Sequence, residues 1–243
     1  MWKEHKVSVV FPAWNEEGYI VQAIDDFFST GLVDEIVVVD NNSKDRTAAL
    51  ARKTKARVVT ETRQGYGWAL RRGLDEAKGD LIITAEPDST FLGRDVVKLL
   101  AYSDDFDVVF GTRTTKELTW SSANMGWFMR LGNVFVAKLI TFLFNAPSFS
   151  DVGCTMKLIK RDALKKIKSQ FTVGKSHFSP EFMLLCILNG LRCVEIPVNY
   201  RGRVGESKIS GKKHKAFLLG LVMIRLIISY RLKALFRPIR RNR

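Results

Sequence analysis

Two carboxylates flank a proline in Glu86-Pro87-Asp88, directly after an apolar run that ends in Ala85. Proline fixes its own φ and turns the preceding residue away from helical backbone, so the pair is held extended and close together at a strand end. Such a pair suits a hard divalent cation, Mg²⁺ or Mn²⁺, which takes one or two protein carboxylates and completes its shell with phosphate oxygens and water. Alone, the string reads more readily as a solvated turn. Its setting favours the cation, because Asp40 closes a second apolar run and Arg113 follows a third, gathering an acid, a metal site and a guanidinium on one rim. Arg113 could instead make a surface ion pair. Arg203-Val204-Gly205-Glu206-Ser207-Lys208 adds two cations around a glycine. It reads either as a charged loop or as a lid whose Arg203 and Lys208 offset charge on a departing diphosphate.

The elements that must position these groups alternate between strand and helix. Strands are expected at 7–11, 35–40, 57–60, 80–85, 107–110 and 192–198, and helices at about 16–29, 46–55, 67–77, 127–144 and 181–188. The run Ile36-Val37-Val38-Val39 is apolar throughout, as in a parallel strand covered on both faces. Alternation of this kind implies an α/β fold with a doubly wound, mostly parallel sheet, whose ligands bind beyond the carboxyl ends of the strands. That rule selects Pro12-Ala13-Trp14-Asn15-Glu16, Asp40-Asn41-Asn42-Ser43, Gln64-Gly65-Tyr66-Gly67 and Glu86-Pro87-Asp88.

A chain of 243 residues, 46% hydrophobic, buries a full core. Cys154, Cys186 and Cys193 are odd in number and lack C-x-x-C spacing, which argues against a disulfide framework or structural zinc and for a reducing compartment. The polar start before Val7 is unlike a signal peptide, and apolar runs of about 15 residues fall short of the roughly 20 that span a bilayer. The net charge of +14 is concentrated at the end: from Arg201 to Arg243 there are thirteen Lys or Arg and one acid, Glu206. That excess suits a polyanion: nucleic acid, an anionic membrane or a phosphorylated substrate. Trp127 to Phe144 and Ala216 to Phe236 are apolar with scattered cations, and read as core helices or as helices lying in a lipid interface. The tail Arg237 to Arg243 would suit anionic lipid.

The ordered set P-A-W-N-E-E (12–17), V-V-V-D-N-N-S-K-D-R-T (37–47), G-Y-G-W-A-L-R-R-G (65–73), G-D-L-I-I-T-A-E-P-D (79–88), G-T-R (111–113) and R-V-G-E-S-K-I-S-G (203–211) resembles family 2 glycosyltransferases, in particular dolichyl-phosphate or polyprenyl-phosphate mannose synthases. The resemblance implies a GT-A fold over residues 1–211, followed by a basic amphipathic segment, 212–243, that attaches peripherally at the cytoplasmic face of a membrane. It implies an inverting transfer of a hexose from a GDP- or UDP-sugar to a polyprenyl or dolichyl phosphate, assisted by Mg²⁺ or Mn²⁺. Pro12, Trp14 and Glu16 match nucleotide-contacting positions, and Val38 and Asp40 match those that hold base and ribose. Ala85-Glu86-Pro87-Asp88 centres the metal-diphosphate site, and Thr90 matches a glutamine beside the metal. Arg113, Arg203 and Lys208 match groups on the sugar-nucleotide phosphates. Glu for Asp at 86, Pro for Ala at 87 and Thr for Gln at 90 depart from the family pattern and bear on metal preference and donor identity.

An anionic phosphate acceptor needs no protein base, whereas a hydroxyl acceptor does. Glu181, or else Asp151, is the candidate for that second case. Glu181 is also read more plainly as an acid at a helix N-terminus. A basic nucleic-acid-binding module is the remaining alternative. It lacks support from any RNA-binding aromatic signature, helix-turn-helix or zinc-finger spacing.

Overall fold

The computed structural model describes residues 1–120, 126–202 and 213–235. Its strands are β1 (Val7–Ala13), β2 (Glu35–Asp40), β3 (Arg57–Thr60), β4 (Leu81–Thr84), β5 (Val108–Thr112), β6 (Lys157–Lys160) and β7 (Cys193–Pro197). They form one sheet in the order β3-β2-β1-β4-β6-β5-β7. β3, β2, β1 and β4 run parallel, β6 lies antiparallel between β4 and β5, and β7 is parallel to β5. The expected doubly wound, mostly parallel sheet is present. The antiparallel β6, with only Leu158 and Ile159 between two lysines, carries too short an apolar signal to be read from sequence.

Period-two alternation divides the strands between two cores. Val10, Val37, Val39, Ile82, Val108 and Phe110 face one way and pack with α3 (Tyr66–Glu76), α5 (Trp127–Phe144), α6 (Arg161–Ile167), α7 (Phe178–Leu188) and α8 (Lys213–Leu235). Val9, Phe11, Val38, Leu81, Ile83 and Val109 face the other way and pack with α1 (Ile20–Ser29), α2 (Thr47–Ala51) and α4 (Val96–Ala101).

α1 starts at Ile20 and not at Glu16. Asn15 adopts φ 55°, and the Glu16 carbonyl closes a turn by accepting from Tyr19 and Ile20 N–H at 3.0 and 2.9 Å. Glu16 N–H itself donates to Thr47 Oγ1 at 2.7 Å. The first loop is therefore tied to the loop after β2 and cannot join the helix. β1 continues through Pro12, where the chain pairs with β2 alone, since pairing to β4 stops at Val10. α2 is shorter than expected, and α4 and α6 were not anticipated from sequence.

α8, within the expected C-terminal segment 212–243, packs onto the rest of the fold. Met223 and Ile227 are buried in the same core as α5 and α7. Its opposite side stays apolar and exposed, through Phe217, Leu218, Leu221, Leu232 and Leu235, as does that of α5, through Trp127, Leu131, Phe135 and Phe142. Among the described residues no helix is long and apolar enough to cross a membrane. All three cysteines are buried and free.

Candidate active site

The strand ends open onto a cavity of about 530 Å³. Pro12, Ala13, Trp14 and Glu16 line it from the end of β1, Asn41 from the end of β2, and Gln64, Gly65 and Tyr66 from the start of α3. Glu86, Pro87 and Asp88 follow β4, and Arg113 follows β5. The far wall is built from Met129 and Asn133 of α5, Ser179 of α7, Tyr200, and Leu219 and Met223 of α8. One side of the cavity is thus polar and charged, and the other is partly apolar.

Asp88 is 2% exposed, and its Oδ1 accepts the Thr90 hydroxyl at 2.6 Å and the Thr90 N–H at 3.1 Å. The intervening Ser89 has φ 62°, a left-handed conformation unusual for serine, which folds the chain back so that Thr90 can reach Asp88. Thr90 is fully buried and stands behind Asp88, outside the cavity lining. Expected beside the metal and named with its ligands, it instead donates to the Asp88 carboxylate from behind. Glu86 and Asp88 remain on the wall. Two carboxylates without nitrogen or sulfur donors fit Mg²⁺ or Mn²⁺ sharing its shell with a diphosphate, and no cluster of three acidic, His or Cys side chains competes for a metal among the described residues.

Among the described residues, Arg113 is the largely buried cation on the cavity wall. Its Nε and Nη2 donate to Asp151 Oδ2 and Oδ1 at 2.8 and 2.9 Å, its N–H donates to Oδ2 at 3.0 Å, and its guanidinium lies 5.0 Å from the Tyr200 ring centre. Burial works against the charged guanidinium, but Asp151 outweighs it and holds the Arg113 pKa well above its ordinary value. The same pairing overcomes burial in the other direction at Asp151, whose carboxyl is lowered. Asp151 is 1% exposed and accepts a further N–H from Gly153 at 3.0 Å. It clamps Arg113 and does not line the cavity, so its alternative role as a base lacks access.

Glu181, a candidate base that also reads as an acid at a helix N-terminus, lies in the first turn of α7 and lacks access for a similar reason. It has no exposed surface, and its carboxylate accepts the N–H and hydroxyl of Thr172, the N–H of Val173 and the Tyr230 hydroxyl. A base must come within hydrogen-bonding reach of the acceptor, and Glu181 does not line the cavity. Val38 is also corrected: its side chain points into the apolar layer with Phe11, fully buried. Asp40 and Ala85 stay off the lining as well; Asp40 Oδ1 accepts Ser43 N–H at 3.3 Å, and Ala85 belongs to the core. Arg203, Lys208 and the tail Arg237 to Arg243 lie outside the described residues.

Residues to which the sequence assigned no individual role contribute much of the wall, some of them in the loops that the strand-end rule selects. Asn41, read as part of a turn, accepts Gly65 N–H on Oδ1 at 2.8 Å and donates from Nδ2 to the carbonyls of Glu61 and Arg63, so it fastens the glycine loop to the end of β2. Its position between Asp40 and Asn42 at a strand end was the available signal. Tyr66 lies in the glycine loop that the strand-end rule selects, whereas Ser179, Tyr200 and Met223 carried no signal that separates them from ordinary core residues.

A strand-end cavity lined by a carboxylate pair and an arginine is the arrangement expected of a GT-A glycosyltransferase. Comparison with known proteins agrees. Residues 8–168 match the description Glycosyl transferase family 2. A dolichyl-phosphate hexose transferase of Haloferax volcanii is 32% identical, over 84% of this chain and 86% of its own. A human dolichyl-phosphate beta-glucosyltransferase is 28% identical, over 95% and 76%. Among solved structures, glucosyl-3-phosphoglycerate synthase from Mycobacterium tuberculosis, in complex with Mn²⁺, UDP and phosphoglyceric acid, shares the fold with a TM-score of 0.73 at 19% identity, over 94% of this chain and 79% of its own. The chain belongs to glycosyl transferase family 2.

Proposed function

We propose that the protein transfers a hexose from a nucleoside-diphosphate sugar, GDP- or UDP-linked, to a polyprenyl phosphate at an anionic membrane surface. The observation that carries this reading is the two-sided cavity. Its polar wall holds Glu86, Asp88 and Arg113, and its other wall is built by α5 and α8, the helices whose outer faces are apolar and exposed. A lipid-linked phosphate can enter along those helices and meet a sugar held against the strand ends. The relatives named as acting on dolichyl phosphate support the acceptor class.

In this reading Pro12, Trp14, Glu16 and Asn41 hold the nucleoside, and Gln64-Gly65-Tyr66 closes over it. Asp88, oriented by Thr90, and Glu86 would hold a divalent cation, which when bound offsets the negative charge of the diphosphate. Arg113 supplies a fixed positive charge beside the same groups, preorganised by Asp151 so that little reorganisation is needed as charge develops. An acceptor phosphate oxygen attacks C1 of the sugar in line. The new C1–O bond forms as the bond from C1 to the diphosphate breaks, with inversion. The oxygen is already anionic, so no proton is removed, which accords with both candidate bases being engaged elsewhere. Arg203 and Lys208 belong to the proposal as charges drawn toward the leaving diphosphate.

Attachment is peripheral: exposed apolar residues of α5 and α8 enter the acyl boundary while exposed Lys138, Arg225 and Lys233 meet headgroups. The decisive experiment incubates the protein with a panel of GDP- and UDP-hexoses, Mn²⁺ or Mg²⁺ and a short polyprenyl phosphate, and identifies product by mass. A glycosyl phospholipid with one donor is the expected result. No product with any donor from a folded protein would overturn the assignment, and transfer to a soluble glycan hydroxyl instead would replace the acceptor.

A further inference from the structure

The glycine loop on the donor side of the cavity is backed by a segment distant in sequence, residues 172–174, just ahead of α7. Trp68 N–H donates to the Gly174 carbonyl at 3.1 Å. The contact is backbone against backbone: a Cβ on Gly67 would come within 2.8 Å of the Val173 carbonyl oxygen, and one on Gly65, whose φ is +151°, within 2.2 Å of the Gly174 oxygen. Gly174 has equally little room, since its own Cβ would lie 2.1 Å from the Trp68 indole. Any shift of 172–174 is therefore transmitted directly to Gly65 and Tyr66, which line the cavity.

What holds 172–174 is Glu181. Its two oxygens accept Thr172 N–H at 3.0 and 3.2 Å, the Thr172 hydroxyl at 2.5 Å and Val173 N–H at 2.9 Å. One further donor comes from elsewhere in the chain: the Tyr230 hydroxyl of α8, at 2.9 Å. Burial, followed by the neighbouring Glu181 charge, raises the Tyr230 phenol, so it stays protonated and able to donate through neutral pH. Two helical turns before Tyr230, Met223 of the same helix lines the cavity.

Resting on the donor reading above, we propose that Glu181 is a positioning residue for the donor site, holding 172–174 against Gly65-Tyr66-Gly67, and that Tyr230 makes donor affinity depend on the seating of α8. The helix that offers an apolar face to a membrane is thereby tied, through one phenol and one carboxylate, to the loop that closes on the nucleotide. Glu181 needs no contact with substrate for this.

The test uses the full chain with Tyr230→Phe, which keeps the ring and loses only the hydroxyl, and Glu181→Gln as a second variant. Three quantities are read: amide hydrogen exchange at Thr172, Val173 and Trp68, Kd for UDP and GDP with Mn²⁺ by calorimetry, and the separate kinetic constants for donor and acceptor. Loss of one hydrogen bond to a charged group should speed exchange at the three amides about 10-fold and raise Kd and donor KM by about 3- to 10-fold in Tyr230→Phe. Acceptor KM, and kcat at saturating donor, should stay within about twofold, a split that general destabilisation does not produce. Glu181→Gln should exceed Tyr230→Phe in both exchange and Kd. Unchanged exchange in Tyr230→Phe would show that the phenol does not hold the segment, and faster exchange with unchanged Kd would show that the segment does not govern the donor; either overturns the proposal. Wild-type protein that binds neither nucleotide would sink the donor reading itself, and the proposal with it, whereas intact wild-type binding untouched by Tyr230→Phe sinks the coupling alone.

Discussion

Replacing Asp151 by Asn separates the role the sequence suggested for this acid, a base, from the clamp on Arg113 that the structure shows, since the two respond differently. Asp151 has no exposed side-chain surface, and its partner Arg113 has 12%. Asn preserves the volume but removes the charge, and its amide N–H group must face guanidinium or backbone donors, leaving a buried cation without its counter-charge. Breaking a buried ion pair from one side costs about 3–5 kcal/mol, and for a chain of this size each kcal/mol lowers the melting midpoint by roughly 2–4 °C. Taking the lower end, because shape is preserved, Asp151→Asn should melt about 6–12 °C below wild type at pH 7. The pH dependence carries its own sign. Burial alone would raise the Asp151 carboxyl, but Arg113 and the backbone donors outweigh it and lower its pKa from 3.8. A carboxyl lowered in the folded state contributes stability that is full above its unfolded value and is lost as pH falls through the folded one. The gap between wild type and variant should therefore be constant near neutrality, begin to close below about pH 4 and vanish in stronger acid. Calorimetric melting of both proteins from pH 7 to pH 2.5 measures it. A midpoint within 2 °C of wild type together with a collapse in turnover would refute the clamp and restore the base.

Asp88→Ala should abolish Mn²⁺-dependent binding of UDP or GDP in calorimetry, and Thr90→Val, which removes only the hydroxyl orienting Asp88, should weaken it about 10- to 100-fold. Equal affinities in Thr90→Val and wild type would mean that the Thr90 bond does not set the carboxylate. Burial lowers the Lys157 ammonium from 10.5 to about 8, so protonation there is costly in the folded state. The melting midpoint should rise as pH climbs from 8 toward 10.5, where the unfolded chain binds the extra proton. Lys157→Met should flatten that rise relative to wild type, and identical pH profiles would exclude Lys157 as its source. Phe142→Asp combined with Leu232→Asp places charge on the exposed apolar faces of α5 and α8; flotation with anionic vesicles should fall at least 10-fold while UDP affinity is retained, and undiminished flotation would remove these faces from the membrane contact.

The parts of the site legible in sequence are those set by strand ends. Pro12, Trp14, Glu16, Glu86, Asp88 and Arg113 each follow an apolar run, and a mostly parallel sheet brings such ends to one edge whatever the helices do. Motif register misled where a strand's alternation decides instead. Val38 was placed at the nucleoside because its neighbours matched a motif, yet it shares a face with Phe11, pointing into the core. Thr90 matches a position beside the metal by the same reasoning, and the left-handed Ser89 turns it behind Asp88 and off the cavity lining.

The far wall was hidden for a different reason. It is assembled from α5, α7 and α8, which pack on one another and face the strand ends across the cavity, and no local pattern encodes such pairings. Glu181 is the clearest instance: a carboxylate at a helix start looks available for catalysis, and only Thr172, Val173 and Tyr230 together reveal it as spent on structure. The same wall explains why α8 belongs to the transferase unit. A helix serving purely as a membrane anchor has no need of Met223 in the cavity or Tyr230 on a buried carboxylate, and both are present on one 23-residue helix with an exposed apolar face. In the proposed function, the acceptor side of the site and the membrane-facing side of the protein would be opposite faces of α8: Met223 lines the cavity while Leu221 and Leu232 stay exposed.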